Sequence, residues 1–203
     1  MRFVLVSLAC ALLSGCLFKS ATVSVRHFVL APIPAEDSSS ATKLHASVEI
    51  GFVKMPTYLL RDSLAVRKGA NEIEFLENAL WAERLDRCFE QTLAADVRQS
   101  LLSGNIHFAD SAPDKGIVRI FINVHQFDVD TKGQGTLVAR WRITAAEGNE
   151  SLASGFTRLE RTGAPPAGNP ATIARIMSEL TADFSHELMR SLSSSTKVTA
   201  VSP

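Results

Sequence analysis

Five histidines (His27, His45, His107, His125 and His186) are the side chains best suited to hold a metal or move a proton near neutral pH. None stands in an HxxxH or HxH pair, and Cys88 has no CxxC companion, so local spacing offers no zinc site. His125 falls in an alternating apolar run, where a buried, hydrogen-bonded sheet histidine is a plainer reading than a ligand. There is no GxSxG elbow, so the many serines do not point to a hydrolase. Gly133-Gln134-Gly135 lies between two strand-like runs rather than between a strand and a helix, so it is not a phosphate cradle. The carboxylate pairs Glu36-Asp37 and Asp128/Asp130 fall in loops or at strand ends and read as solvated turn residues. Trp81 and Trp141 sit among periodic apolar positions and read as core. The sequence therefore calls for no catalytic residue, no metal and no cofactor.

One cysteine does carry a chemical signal. Met1-Arg2 is a short positive end, positions 3–13 are apolar apart from Ser7, and the small residues Ser14-Gly15 follow. This is the layout of a secretory signal, shorter than the roughly 20 residues a spanning helix needs. The junction Leu13-Ser14-Gly15-Cys16 resembles the bacterial lipobox. That resemblance implies diacylglycerol on the Cys16 sulfur, cleavage before it, and acylation of the new amine by a palmitate-type chain. Each buried methylene contributes about 0.8 kcal/mol, so several chains anchor stably where one does not. Leu17, rather than Asp, follows the anchor, which resembles the outer-membrane default in lipoprotein sorting. Cys10 is then cleaved away and Cys16 lipidated. Cys88 is left without a partner for a disulfide and reads as a small buried hydrophobe in a helical stripe.

The elements must be read around these points. The chain has 203 residues, 46% of them hydrophobic, which is enough for one domain with a real core. Lys+Arg and Asp+Glu both count 21, so nothing marks nucleic acid or an anionic surface as the main partner. Strands are expected over 23–30 and 44–53, where Leu44, Ala46, Val48, Ile50 and Phe52 share a face and Gly51 marks a bulge or a close backbone approach. After Pro56, strands resume at 64–67 and 72–75, with a turn at 68–71. From Asn78 the period changes: Trp81, Leu85, Cys88, Phe89, Leu93, Val97 and Leu101 recur at helical spacing, and Gly104-Asn105 closes the helix. A short strand is expected at 106–109 and a turn at 111–116. The run 117–129 reads as a central strand covered on both sides, with Val118, Ile120, Ile122 and Val124 on one face and Phe121 and Phe127 on the other. Strands 136–145 and 151–160 complete an antiparallel meander. Asn169-Pro170 then opens a second helix striped with Ile173, Ile176, Met177, Leu180, Phe184 and Leu188. The fold class is α/β: a single domain with a mixed β-sheet, an antiparallel meander and two main amphipathic helices packed on it, both on one face or one on each. The organisation is 1–15 signal peptide, 16–22 lipidated N-terminus and tether, 23–192 folded domain, and 193–203 disordered Ser/Thr-rich tail.

Positions 48–85 resemble one family, the auxiliary lipoprotein component of ABC-type transport systems (PqiC/YmbA-like). The matching pieces are Phe28-Val29-Leu30, Val48-Glu49-Ile50-Gly51-Phe52-Val53, Pro56, Tyr58-Leu59, Arg61, Val66-Arg67, Asn71-Glu72-Ile73 and Trp81-Ala82-Glu83-Arg84-Leu85. Val124, Gln126-Phe127-Asp128 and Ala139-Arg140-Trp141 extend the resemblance over most of 28–190. Asp62 and Arg84 stand where the family often has proline, and Arg84 lets a helix begin near Asn78. The resemblance implies a non-enzymatic periplasmic lipoprotein anchored in the outer membrane. It implies docking to an MCE-domain substrate-binding protein with an ABC permease and ATPase, or to PqiA/PqiB-type partners, in moving lipids or other hydrophobic molecules between membranes. Homo-oligomer formation stays open. Tyr58, Leu59, Arg61 and Arg67 are the candidate partner-binding residues, since Tyr and Arg are frequent interface anchors. The competing reading packs Tyr58 and Leu59 on the domain's own core and pairs Arg61 with an acid. A lipid-carrying role would need an apolar cavity of at least a few hundred Å³, which the sequence does not show. An envelope lipoprotein with a structural role is the remaining alternative.

Overall fold

The computed structural model describes residues 24–34, 44–103, 106–108, 117–145 and 150–195. The lipobox at Cys16, the Glu36-Asp37 pair, Gly104-Asn105, and the turns at 111–116 and 147–149 lie outside the described residues. In chain order the strands are β1 (Arg26–Phe28), β2 (Leu44–His45), β3 (Ser47–Lys54), β4 (Ser63–Gly69) and β5 (Glu72–Trp81). Helix α1 (Leu85–Gln99) follows, then β6 (Leu101–Ser103), β7 (Ile106–Phe108), β8 (Ile117–Asp130), β9 (Gln134–Ala145), β10 (Ser151–Thr162) and helix α2 (Ala171–Ser193).

β8 is the axis of an eight-stranded mixed sheet. Along one edge it pairs antiparallel with β9, which pairs with β10, giving the expected meander. Its other edge is shared. β3 runs parallel to the first half, from Ser47 opposite Ile117 to Lys54 opposite Asn123. β4 runs parallel to the far end, with Val66 opposite Val129 and Arg67 opposite Asp130. Pro56 explains the hand-over. It has no N–H to continue the ladder, so the chain leaves β8 there and makes a 3-10 turn over Thr57–Leu60 before re-entering the sheet at Ser63 and meeting β8 again at Val66. β5 then extends the sheet beyond β4, and β1 lies parallel on its outer edge. β7 pairs with β3, and β2 with β6 forms a separate two-stranded pair.

Both helices lie on the same face of the sheet. Phe89 of α1 meets Phe127 of β8 edge-on at 5.3 Å and Phe184 of α2 at 6.3 Å, and all three are fully buried. Trp141 completes this layer. Its Nε1 donates to Thr157 Oγ1 at 2.8 Å, and the Thr157 hydroxyl donates to Glu187 of α2. The indole lies across Gly155, where a Cβ would come within 2.5 Å of the ring. Gly133, at φ 85° in the β8–β9 turn, takes the left-handed conformation that the turn requires.

Two bulges change faces that alternation alone assigns. The register of β3 shifts between Ile50 and Val53, so Val48 and Ile50 point into the core while Phe52 is 63% exposed. Gly51 sits in that irregularity, as expected, with Ile120 O only 3.2 Å from where a Cβ would be. The register of β8 slips between Val124 and Gln126. One extra residue reverses parity, so Phe127 joins Val124 on the core face instead of Phe121 on the other. His125 keeps the face that alternation gives it, beside Phe156, and is exposed rather than buried because no helix among the described residues covers that face. Among the described residues β8 is thus covered by helices on one face, not on both.

The first helix also starts later than its periodicity suggests. Residues from Asn78 to Trp81 belong to β5, held by β1 through Arg26 opposite Ala79 and Phe28 opposite Trp81. The Trp81 N–H donates to Asp62 O at 2.6 Å, and the Ala82 N–H to Phe28 O at 2.8 Å. Trp81 is buried, but as the end of a strand. The four-residue step from Trp81 to Leu85 copies helical spacing across a strand–helix junction. At its other end α1 stops at Gln99, and Leu101 starts β6 instead of closing the stripe. Pro170 is the N-cap of α2 rather than its first helical residue, and no side-chain cap bond forms there. Boundaries of this kind shift by a residue or two.

Candidate functional site

The 3-10 turn and β4 converge on Asp128, a β8 carboxylate only 2% exposed. Arg67 grips it with both prongs, Nε to Oδ1 at 3.0 Å and Nη2 to Oδ2 at 2.6 Å. Tyr58 Oη donates to Oδ2 at 2.8 Å, and Gln126 Nε2 to Oδ1 at 2.9 Å. Two bonds fall on each oxygen, which fills the acceptor capacity of a carboxylate. No lone pair is left to act as a base, so the cluster is a clamp. Burial, and after it the Asp128 charge, pushes the Tyr58 phenol above its ordinary pKa. The hydrogen bonds it donates to Asp128 hold the Arg67 guanidinium more firmly charged. Sequence reasoning placed Asp128 among solvated turn residues; the bulge two residues earlier moves it off the helix-covered face, and Tyr58, Arg67 and Gln126 close over it there. Asp130 does behave as a turn residue, accepting the Lys132 and Gln134 N–H groups at 2.8 Å each.

The four candidate partner residues therefore take different positions. Tyr58 and Arg67 meet on Asp128, and Leu59 is buried in the core at 3% exposure. Arg61 faces out, its guanidinium 4.3 Å from the Phe75 ring centroid rather than paired with Asp62. Cys16 lies outside the described residues.

A second surface went unnoticed in the sequence. On the sheet face away from the helices, Phe52, Phe121 and Phe156 line an open trough of about 560 Å³ together with Lys54, Arg140 and Arg142. Cross-strand register interleaves the two kinds of side chain, with Phe121 opposite Arg142 and Arg140 opposite Phe156. Arg142 stacks over Phe121 at 5.5 Å, and the His125 ring lies 6.1 Å from Phe156. A legible signal existed for half of this. Arg140 and Arg142 alternate with buried Trp141 and Ile143, which puts both arginines on one outward face. The Phe52 half was hidden by the β3 bulge.

Other reactive groups are accounted for by packing. Cys88 is buried, and burial pushes its thiol up, away from the thiolate that reactive cysteines need. Among the described residues no three His, Cys, Asp or Glu side chains group as metal ligands, and no helix is long and apolar enough to cross a membrane.

After β1 the chain crosses the helical layer as a strap. The Ala31 N–H donates to Ser178 Oγ of α2 at 3.0 Å, and the Ile33 N–H to Asp96 Oδ1 of α1 at 3.1 Å. Asp96 is 2% exposed, and its Oδ2 has no hydrogen-bond partner among the described residues. Burial pushes its pKa from 3.8 up to about 6, against the opposing pull of the Ile33 N–H. The folded state thus holds this proton more tightly than the unfolded chain. The group's contribution to stability is fully present below about pH 4 and is lost as pH rises towards 6, a swing of about 2–3 kcal/mol. Asp96→Asn is expected to flatten that window. Urea unfolding at pH 4.5 and pH 7 checks it, through a smaller difference between the two in the variant than in the parent protein.

The family model for the ABC-type transport auxiliary lipoprotein component matches residues 28–189, from the end of β1 to near the end of α2. The chain belongs to that family. It is accordingly a lipoprotein, held at a membrane by its anchor, and an auxiliary part of an ABC-type transport system that works with other components. An auxiliary role agrees with an Asp128 cluster that clamps rather than catalyses. Solved structures give the same fold. A DUF330 protein from Xanthomonas campestris superposes with a TM-score of 0.64 at 12% identity, over 83% of this chain and 96% of that one. A second crystal structure, of an uncharacterized protein, reaches 0.64 at 17% identity, over 82% and 97%. A search of curated proteins finds no match.

Proposed function

We propose that this lipoprotein is a non-catalytic periplasmic component, anchored in the outer membrane through Cys16, of an MCE/ABC-type system that moves lipid between membranes. In this reading it docks the MCE-domain partner through the segment after Pro56. One observation carries the assignment of the surface: Asp128 clamps the 3-10 turn and β4 from beneath, leaving Arg61 exposed and preorganised over Phe75. A guanidinium held flat on an aromatic ring loses little freedom on binding, which suits an interface anchor. Tyr58, Leu59 and Arg67 serve the same contact from below by fixing the backbone.

The test is capture of the MCE-domain protein by the lipidated chain. Arg61→Ala and Phe75→Ala are each expected to weaken capture about tenfold, the equivalent of about 1.4 kcal/mol. Capture of the partner by both folded variants at parental strength would remove this segment from the interface.

A further inference from the structure

The trough on the open sheet face has no role in the docking reading, and its chemistry is specific. The large apolar side chains Phe52 and Phe156 stand 63% and 62% exposed on it. Neighbouring arginines are neutralised: Arg119 by Glu49, Arg158 by Glu160, Arg67 by Asp128 and Arg161 by Asp183. Lys54, Arg140 and Arg142 form no ion pair with any described residue, although all three line the same trough. Unpaired cations beside exposed phenylalanines call for a ligand that is anionic at one end and apolar along the rest.

We propose that this trough binds a diacyl phospholipid, with its phosphate at Arg140, Arg142 and Lys54 and an acyl chain along Phe52, Phe121 and Phe156. A free phosphate would leave the phenylalanines unused, and an uncharged lipid would leave the cations unused. Arg142, stacked on Phe121, keeps its planar N–H edge for phosphate oxygens, a geometry that arginine favours. From β3 to β10 the trough spans three strand spacings, about 14 Å, which accommodates much of one acyl chain. The volume of about 560 Å³ falls in the range of small-molecule sites, although the trough is open to solvent. Phospholipid is also the molecule that surrounds a membrane-anchored lipoprotein, so supply is not limiting.

The lipidated protein in detergent micelles, incubated with phosphatidylglycerol carrying a mid-chain diazirine and irradiated, tests this. Peptides containing Phe52, Phe121 and Phe156 are expected to carry the label. The Arg140→Glu/Arg142→Glu variant is expected to lose at least about tenfold in yield, as loss of two phosphate contacts implies. A diacylglycerol probe with the same chains should label weakly and be indifferent to the charge reversal. Phe156→Ser, a single change at an exposed position, gives a second reading should the double variant unfold. Label confined to other surfaces, or a yield unchanged by both variants, overturns the site. So does a face covered by a second copy, seen as a dimer that Phe156→Ser dissociates while no lipid is labelled. So does a face blocked only by an acidic partner segment. Arg61 lies outside the trough, so loss of docking and loss of lipid labelling are separable results.

Discussion

Asp128→Ala is expected to lower the stability of the domain by about 3 kcal/mol, at the lower end of what breaking a buried pair costs. The lower end applies because Arg67 is 24% exposed and can recover some hydration, whereas Asp128 is sealed at 2%. The loss has several parts. Arg67 loses both of its short bonds, and Tyr58 and Gln126 each lose an acceptor. Since domains of this size hold only about 5–15 kcal/mol in total, this is a large share. Equilibrium urea unfolding measures it. The paired replacement Arg67→Met with Asp128→Leu should recover part of the loss, because it leaves no charge unpaired although Tyr58 and Gln126 still lack their acceptor. Were Asp128→Ala to cost less than about 1 kcal/mol, in the range of an exposed ion pair, the clamp would have no energetic content. Docking supplies a second readout. With the clamp gone, Arg61 is no longer preorganised, so capture of the partner should weaken even though Arg61 itself is intact.

Much of the fold was legible because period and punctuation agree over long stretches. β8, β9 and β10 alternate over 12 to 14 residues each, and α2 keeps one stripe for 23 residues. Pro56 and the 68–71 turn were read correctly because proline and glycine act locally. What escaped was set by pairing over long distances. Nothing near Asn78 says that β1, some fifty residues earlier, will hold positions 79–81 in a strand. Each bulge adds a single residue, yet it inverts every face beyond it. Phe52 and Phe127 were misplaced for that one reason, whereas His125 was misread because no described helix covers its face. Both surfaces with a proposed role lie on the far side of a bulge. The inversion carries Asp128 beneath the 3-10 turn and turns Phe52 out towards Phe121 and Phe156. Alternation would have buried Phe52 and set Asp128 on the helix-covered face beside Val124, leaving neither a clamp nor a complete trough.

The phenylalanines should therefore divide sharply in their effects. Phe89→Ala is expected to destabilise the protein by about 3–5 kcal/mol, the usual range for a buried aromatic truncated to alanine. Phe89 meets one phenylalanine in the sheet, Phe127, and another in the neighbouring helix, Phe184. Each such aromatic contact adds roughly 0.5–1.5 kcal/mol beyond the area it buries. Close packing between the two helices and the sheet leaves little room for collapse into the vacated volume, which favours the upper part of the range. Phe52→Ser and Phe156→Ser should instead change stability by no more than about 0.5 kcal/mol, because those rings already face solvent. Thermal and urea unfolding of the three variants side by side reads the contrast. A large loss from Phe52→Ser or Phe156→Ser would mean that the open face is structural. A small one, together with loss of phospholipid labelling, assigns those rings to binding and leaves Phe89, Phe127 and Phe184 to hold the fold.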